Sequence, residues 1–223
     1  MYIRDLLKKL AYRYPVVFRT IMNWGGHISV KGTGNSIINN AISLKKTKIR
    51  IRGNKNNVII ERGTHLFNVQ IEIIGNNHLL LIHNNVRMLE GGRIRINDNN
   101  NKLEIGNDTI LVDVFFSLQD NNTSIKIGDH SLFSAAVILR TSDSHSIIDL
   151  KDGKRINPGS NVEVGNHVWV GYGVTIMKGV LIGDNSVIGT NSLVTKTVPK
   201  NSLAVGTPAR VIKTNIDWSI QRL

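Results

Sequence analysis

From Val164 to Val198 the chain repeats itself every six residues, and no other feature narrows its possible folds as far. Valine or isoleucine recurs at Val164, Val170, Ile176, Ile182, Ile188 and Val194. Glycine follows at Gly165, Gly171, Gly183 and Gly189, with Met177 and Thr195 as exceptions. Four residues after each aliphatic comes a second small or β-branched position: Val168, Val174, Val180, Ser186, Ser192 and Val198. A helix repeats every 3.6 residues and an alternating strand every 2, so neither produces this spacing. A hexapeptide period fits a parallel β-helix, whose short strands meet at corners and whose aliphatics stack coil upon coil. Glycine is expected to relieve the corner backbone.

A looser repeat precedes it. Asparagine-rich clusters begin at Gly53, Gly75, Asn97 and Asp120, about 22 residues apart, and aliphatic runs such as Val58-Ile59-Ile60 and Leu79-Leu80-Leu81-Ile82 follow them. Asparagine tolerates left-handed backbone and bonds nearby peptide groups, so these are read as corners of longer coils of the same solenoid. The hexad register runs through Ile127, Phe133 and Leu139, breaks, and resumes at Val164. Residues 141–161 are therefore predicted to leave the coil as an excluded loop, and a long loop in a regular repeat is usually functional. Its only imidazole is His145.

Residues 1–24 read as an amphipathic helix, with Ile3, Leu6, Leu7, Leu10 and Tyr14 on one face. It is expected to cap the open end of the stack, or to touch an anionic membrane surface. The solenoid is expected over 25–215, with 216–223 as a tail. Of the formal net charge of +12, an excess of +11 lies in residues 1–62, which hold 13 Lys/Arg against Asp5 and Glu61. Such asymmetry suits an acidic partner. The absence of cysteine excludes disulfides and thiolate metal sites and fits a reducing, cytoplasmic setting. His78 and His83 have the spacing of a metal-ligand pair, but no third histidine falls convincingly in register and His78 lies in an asparagine corner where it is expected to be solvated, so no metal is expected.

Four features carry a resemblance to a known family: the hexads; Ser142-Asp143-Ser144-His145 opening the loop; Val168-Trp169-Val170-Gly171; and Val194-Thr195-Lys196 with Val205-Gly206-Thr207-Pro208-Ala209-Arg210-Val211-Ile212-Lys213. Over about residues 103–215 the chain resembles the left-handed β-helix acyltransferases. Within them it is most similar to the O-acetyltransferases of sugars and capsular polysaccharides, a group including the galactoside and polysialic acid enzymes. The resemblance implies acetyl-CoA as cosubstrate, a homotrimer with active sites between subunits, and His145 as general base. It implies that Trp169 lines the pocket and that the backbone amide of Tyr172 serves the developing oxyanion. It puts Thr190, Thr195 and Lys196 along the pantetheine arm and Arg210 and Lys213 near the phosphates. Ser117, Ser142 and Asp143 are candidates to face the acceptor.

The function expected is therefore acetyl transfer to a sugar hydroxyl of a bacterial surface polysaccharide, in the cytoplasm or at the inner face of the membrane, with no nucleic acid partner. Two alternatives are an N-acetyltransferase of a nucleotide-linked amino sugar and a non-enzymatic scaffold whose basic face binds an acidic partner. His145, Trp169 and the stretch from Arg210 to Lys213 argue against the scaffold.

Overall fold

The structure, a computed structural model, describes residues 24–222 as a stack of parallel coils, with no helix among the described residues. The predicted N-terminal helix lies, apart from Trp24, outside them. Each coil contributes one strand to each of three sheets. The first sheet runs from His27–Lys31 to Leu193–Val194, the second from Ser36–Asn39 to Leu181–Ile182, and the third from His65–Leu66 to Ser202–Gly206. Strand Ala209–Thr214 then turns back antiparallel on Ser202–Gly206 and closes that sheet. The result is a prism with three faces and three edges.

Its core consists of columns one residue wide. Ile60, Ile82, Ile105, Ile127, Val164 and Ile182 align along the second sheet, and Leu66, Met88, Leu111, Phe133, Val170 and Ile188 along the third. All are at most 1% exposed. Both sets of hexad positions point inward, as expected. Equivalent side chains lie 22 residues apart at Asn99 and Asn121 but 18 apart at Asn166 and Asp184, so three hexads make one of the tighter coils.

The hexad glycines act differently from expectation. Gly165, Gly171, Gly183 and Gly189 do not adopt positive φ; that conformation falls on the third residue after five of the six inward aliphatics, at His167, Gly173, Gly179, Asn185 and Asn191. What the hexad glycines supply is space. A Cβ on Gly183 would stand 2.4 Å from the backbone nitrogen of Lys200, and one on Gly171 would stand 2.8 Å from that of Thr190. The coils therefore touch backbone to backbone at these corners.

The edge between the first and second sheets is stitched by buried polar groups. Asn56 Oδ1 accepts from the His78 amide at 3.0 Å, and His78 Nδ1 from the Asn101 amide at 3.1 Å. Asn101 Oδ1 accepts from the Thr123 amide at 2.7 Å, and the hydroxyls of Thr123 and Thr141 meet at 3.0 Å. His78, expected to be solvated, is 1% exposed and holds a place in this column. Burial pushes its pKa below the ordinary histidine value, outweighing backbone hydrogen bonds that favour the cation. His83 points elsewhere, between Glu61 and Glu104 at 3.2 and 3.1 Å. Burial opposes its protonation, but the two carboxylates together raise its pKa. The two histidines therefore do not converge as a ligand pair.

Gly183→Ala should lower stability by about 1–3 kcal/mol, because two backbones must separate to admit a methyl group. Gly153→Ala, at a loop position with φ +70° and nothing within 4 Å of the new Cβ, should cost only local backbone strain. Thermal unfolding of the two variants checks this; equal losses would remove close approach as the reason for the hexad glycine.

Candidate active site

Residues 141–161 leave the stack at the edge between the first and second sheets, between strands Val137–Arg140 and Val162–Val164. They form a small hairpin in which Ile148 faces Arg155. The stack closes beneath it without a gap: the backbone N–H groups of Ser124 and Asp129 donate to the side-chain Oδ1 of Asn161 and Asn166, each 37 residues on.

The loop is anchored to the coils on both sides. On the preceding coil, Asp120 receives both terminal nitrogens of Arg155 at 3.1 and 2.8 Å. On the following coil, Lys178 Nζ donates to Asp143 Oδ2 at 2.5 Å and to the carbonyl of Asn157 at 2.9 Å. Asn157, only 8% exposed, joins the two limbs. Its Nδ2 donates to Asp143 and to the His145 carbonyl, each at 2.9 Å, and its Oδ1 accepts from the Ile147 amide at 2.7 Å. The backbone on either side of His145 is thus fixed, while the His145 side chain is exposed. The Lys178 ammonium, helped by Asn157, holds the Asp143 carboxyl below the usual aspartate range. The Arg155 guanidinium does the same for Asp120.

The other predicted site residues are distributed as follows. Asp143 faces Lys178 and Asn157, so it orients the loop. Ser142 is 2% exposed, and its hydroxyl donates to Asp120 at 3.3 Å and accepts from the Ser144 amide at 3.1 Å. Ser117 is 5% exposed and pairs with Arg140 at the loop root. Trp169 projects from the third sheet, 40% exposed, its ring 6.0 Å from that of Trp218 in the C-terminal tail. Trp218 stacks on His167 at 4.3 Å and donates its indole N–H to the His167 carbonyl at 2.7 Å. Tyr172 stands at the edge between the third and first sheets, 55% exposed. Its backbone N–H has no acceptor among the described residues. Thr190, Thr195, Lys196, Arg210 and Lys213 are all exposed on the last coils and the closing strand.

Within one chain, therefore, His145 lies on one edge of the prism, and Trp169 and Tyr172 lie on the third sheet and at a second edge. Asn157, Lys178, Asp120 and Arg155 complete the loop, although nothing in the local sequence pattern singles them out. One signal was available. Met177 and Thr195, the two exceptions to the hexad glycine, are one coil apart and mark the edge from which the loop departs.

Comparison with known proteins places this architecture. The family model described as bacterial transferase hexapeptide (six repeats) matches residues 161–196. The structure of the polySia-specific acetyltransferase NeuO matches with a TM-score of 0.80 at 34% identity, covering 88% of this chain and 90% of that one. This chain belongs to the hexapeptide-repeat acyltransferases. The polysialic acid O-acetyltransferase OatWY also matches with a TM-score of 0.80, at 28% identity over 88% of this chain and 92% of that one. A polysialic acid O-acetyltransferase of Escherichia coli O1:K1 / APEC is 48% identical over 83 residues, 37% of this chain. That aligned stretch spans only 27% of the relative's own length. Membership fixes the hand of the solenoid as left, against the usual right-handed preference of parallel crossovers.

The lowered pKa of Asp143 gives the loop a defined pH dependence. A carboxyl whose folded pKa is depressed adds stability above its unfolded value of about 3.9 and loses it as pH falls through the folded value. Lys178→Met should therefore speed amide exchange across residues 142–160 at pH 7 by about tenfold, as loss of a charge-assisted hydrogen bond implies. It should also flatten the loss of protection, corrected for intrinsic exchange rates, that the lowered Asp143 pKa implies for the wild type on acidification. Unchanged exchange at both pH values would show that the loop is held by its other contacts.

Proposed function

We propose that the chain is an acetyl-CoA-dependent O-acetyltransferase that modifies a sugar hydroxyl of a bacterial capsular or other surface polysaccharide. The observation carrying this reading is the match to NeuO over nine-tenths of both chains, in a chain whose exposed loop imidazole is held by a fixed backbone. His145 takes the proton of the acceptor hydroxyl as its oxygen attacks the thioester carbonyl carbon. The oxyanion that forms is stabilised by the free N–H of Tyr172, and its collapse transfers acetyl to the sugar. The departing CoA thiolate recovers the proton from the His145 imidazolium, which leaves the enzyme unchanged. Such general base catalysis contributes about 10²–10⁴-fold in rate, and an oxyanion donor about 10²–10³-fold.

The residues of the last coils suit the donor. Exposed Arg210 and Lys213 are cations on the closing strand, fit to pair with phosphate oxygens, while Thr190, Thr195 and Lys196 line the path of the pantetheine arm. Trp169 walls the pocket. Because His145 lies on one edge of the prism while Trp169 lies on the third sheet and Tyr172 at a second edge, a complete site needs residues of two chains. This supports a homotrimer with sites between subunits. Asp143 and Ser142 act as positioning residues for the loop, and Ser117 floors the approach to it. We place the reaction on the cytoplasmic side of the membrane, where acetyl-CoA is available.

His145→Ala should reduce single-turnover acetyl transfer to polysialic acid by about 10²–10⁴-fold while leaving oligomeric state and acetyl-CoA binding unchanged. A rate within a few-fold of wild type would remove His145 as the base. Arg210→Ala with Lys213→Ala should raise the KM for acetyl-CoA more than that for the acceptor. Added salt should reproduce part of the loss, since phosphate contacts with exposed cations are screened. An unchanged KM would place the phosphates elsewhere.

A further inference from the structure

The outer face of the first sheet carries an arginine on every second rung. One column, read through the strand register, is Ser29, Arg50, Glu72, Arg95, Ser117 and Arg140. The column beside it is His27, Lys48, Gln70, Arg93, Phe115 and Ile138. Together they hold five cations, Lys48, Arg50, Arg93, Arg95 and Arg140, against one carboxylate, Glu72. The upper part is concave, with Lys48, Arg50, Gln70, Glu72, Arg93 and Arg95 in its walls. Parallel rungs are about 4.8 Å apart, so the arginines of the column recur at about 9.6 Å and the span from Arg50 to Arg140 is about 19 Å. The lower end is the loop root, where Arg140 Nη2 donates to Ser144 Oγ at 3.2 Å, one residue before His145.

We propose that this face is an acceptor track, binding a linear polysaccharide that carries regularly spaced carboxylates and leading it to His145. The assignment rests on the polysaccharide acceptor proposed above. A guanidinium pairs with a carboxylate through two parallel hydrogen bonds, and a regular row of them matches a regular polyanion better than a single ligand. Glu72 does not neutralise the row. It stands 3.8 Å from Arg50 and 3.6 Å from Arg95, loose pairs in which the Arg50 side chain is 57% exposed. Exposed pairs of this kind contribute little, so a polymer carboxylate can displace them. Arg93 lies over the Phe115 ring at 5.7 Å, and Phe115 and Ile138 give the lower track an apolar side suited to the faces of sugar rings.

The test is binding of polysialic acid oligomers of graded length to the whole protein with no acetyl donor present. Affinity should rise with length until an oligomer spans about 19 Å and then level off, as linked sites along one surface require. Arg50→Gln with Arg95→Gln should weaken binding of the long oligomers roughly tenfold and reduce its salt dependence. Glu72→Gln should tighten it. Lys126→Gln, which removes an exposed cation from the second sheet, should have no effect. The track is overturned if the Lys126 variant loses as much affinity as the double variant, or if the double variant loses none. It is equally overturned if neutral dextran binds as well as polysialate. Loss of binding to phosphatidylglycerol vesicles in the double variant, with polysialate binding intact, would make the face a membrane contact instead. Because no donor is present, the result is separable from the enzymatic reading. Length-dependent binding without CoA release on adding acetyl-CoA would leave the track standing and refute the transfer reaction.

Discussion

Every coil of this protein depends on the next for its backbone hydrogen bonds. In a parallel solenoid the peptide groups of a strand point along the axis, and a coil alone satisfies almost none of them. The corners follow the same rule: Gly173 donates to Ala135, Asn191 to Tyr172 and Asn122 to Asn99, each on a neighbouring coil. Two demands fall on the corners as a result. Left-handed residues recur at the corners, two at each asparagine corner as at Asp98 and Asn100, and the side chains must be small enough, or polar enough, to let the coils close to hydrogen-bonding distance. Asparagine meets the second demand by forming a ladder, as in Asn54, Asn76 and Asn99, whose amides bond one another at 3.2 and 2.9 Å. Glycine meets it by having no side chain. The wide coils use both at one corner, where a Cβ on Gly53 would stand 1.8 Å from the carbonyl oxygen of Gly75 beside the asparagine ladder.

The loop exists because the stack can close beneath it. Its conformation is then decided by charge. Two carboxylates, one belonging to the preceding coil and one to the loop itself, meet two cations, one from the loop and one from the following coil. These pairs are only partly exposed and share Asn157 as a neutral hub, which sets them apart from the loose pairs on the first sheet. An exposed imidazole on a fixed backbone results, and this is the arrangement a general base needs: access for the acceptor without freedom to wander.

How much was legible in the sequence depended on the range of each contact. The inward hexads, the asparagine corners and the boundaries of the loop are local or periodic, and all could be read. The role of the hexad glycine was misjudged, because a missing side chain fits either unusual backbone angles or close approach, and only the neighbouring coil decides between them. His78 looked solvated because it follows Asn76 and Asn77, but it takes the buried place that Asn56 and Asn101 hold in the neighbouring coils. Lys178 and Asp120 were not found, since each meets its partner 35 residues away in sequence, across a loop of irregular length. The arginine column was hidden in a similar way. Arg50, Arg95 and Arg140 are 45 residues apart, two wide coils, and only the strand register shows that they share one outward column. The charge excess of the first 62 residues drew attention to one end of a feature that continues to the loop.

The double anchoring of the loop also limits how such a protein can diversify. In many scaffolds a surface loop can be exchanged freely, because only its two ends must match the framework. Here Arg155 needs an aspartate on the coil above, and Asp143 needs a lysine on the coil below. A loop transplanted from a relative would arrive without the residues that hold it, even with identical end points. The inheritable unit is the loop together with one side chain from each flanking coil, and graft designs or ancestral reconstructions on this solenoid have to move all three together.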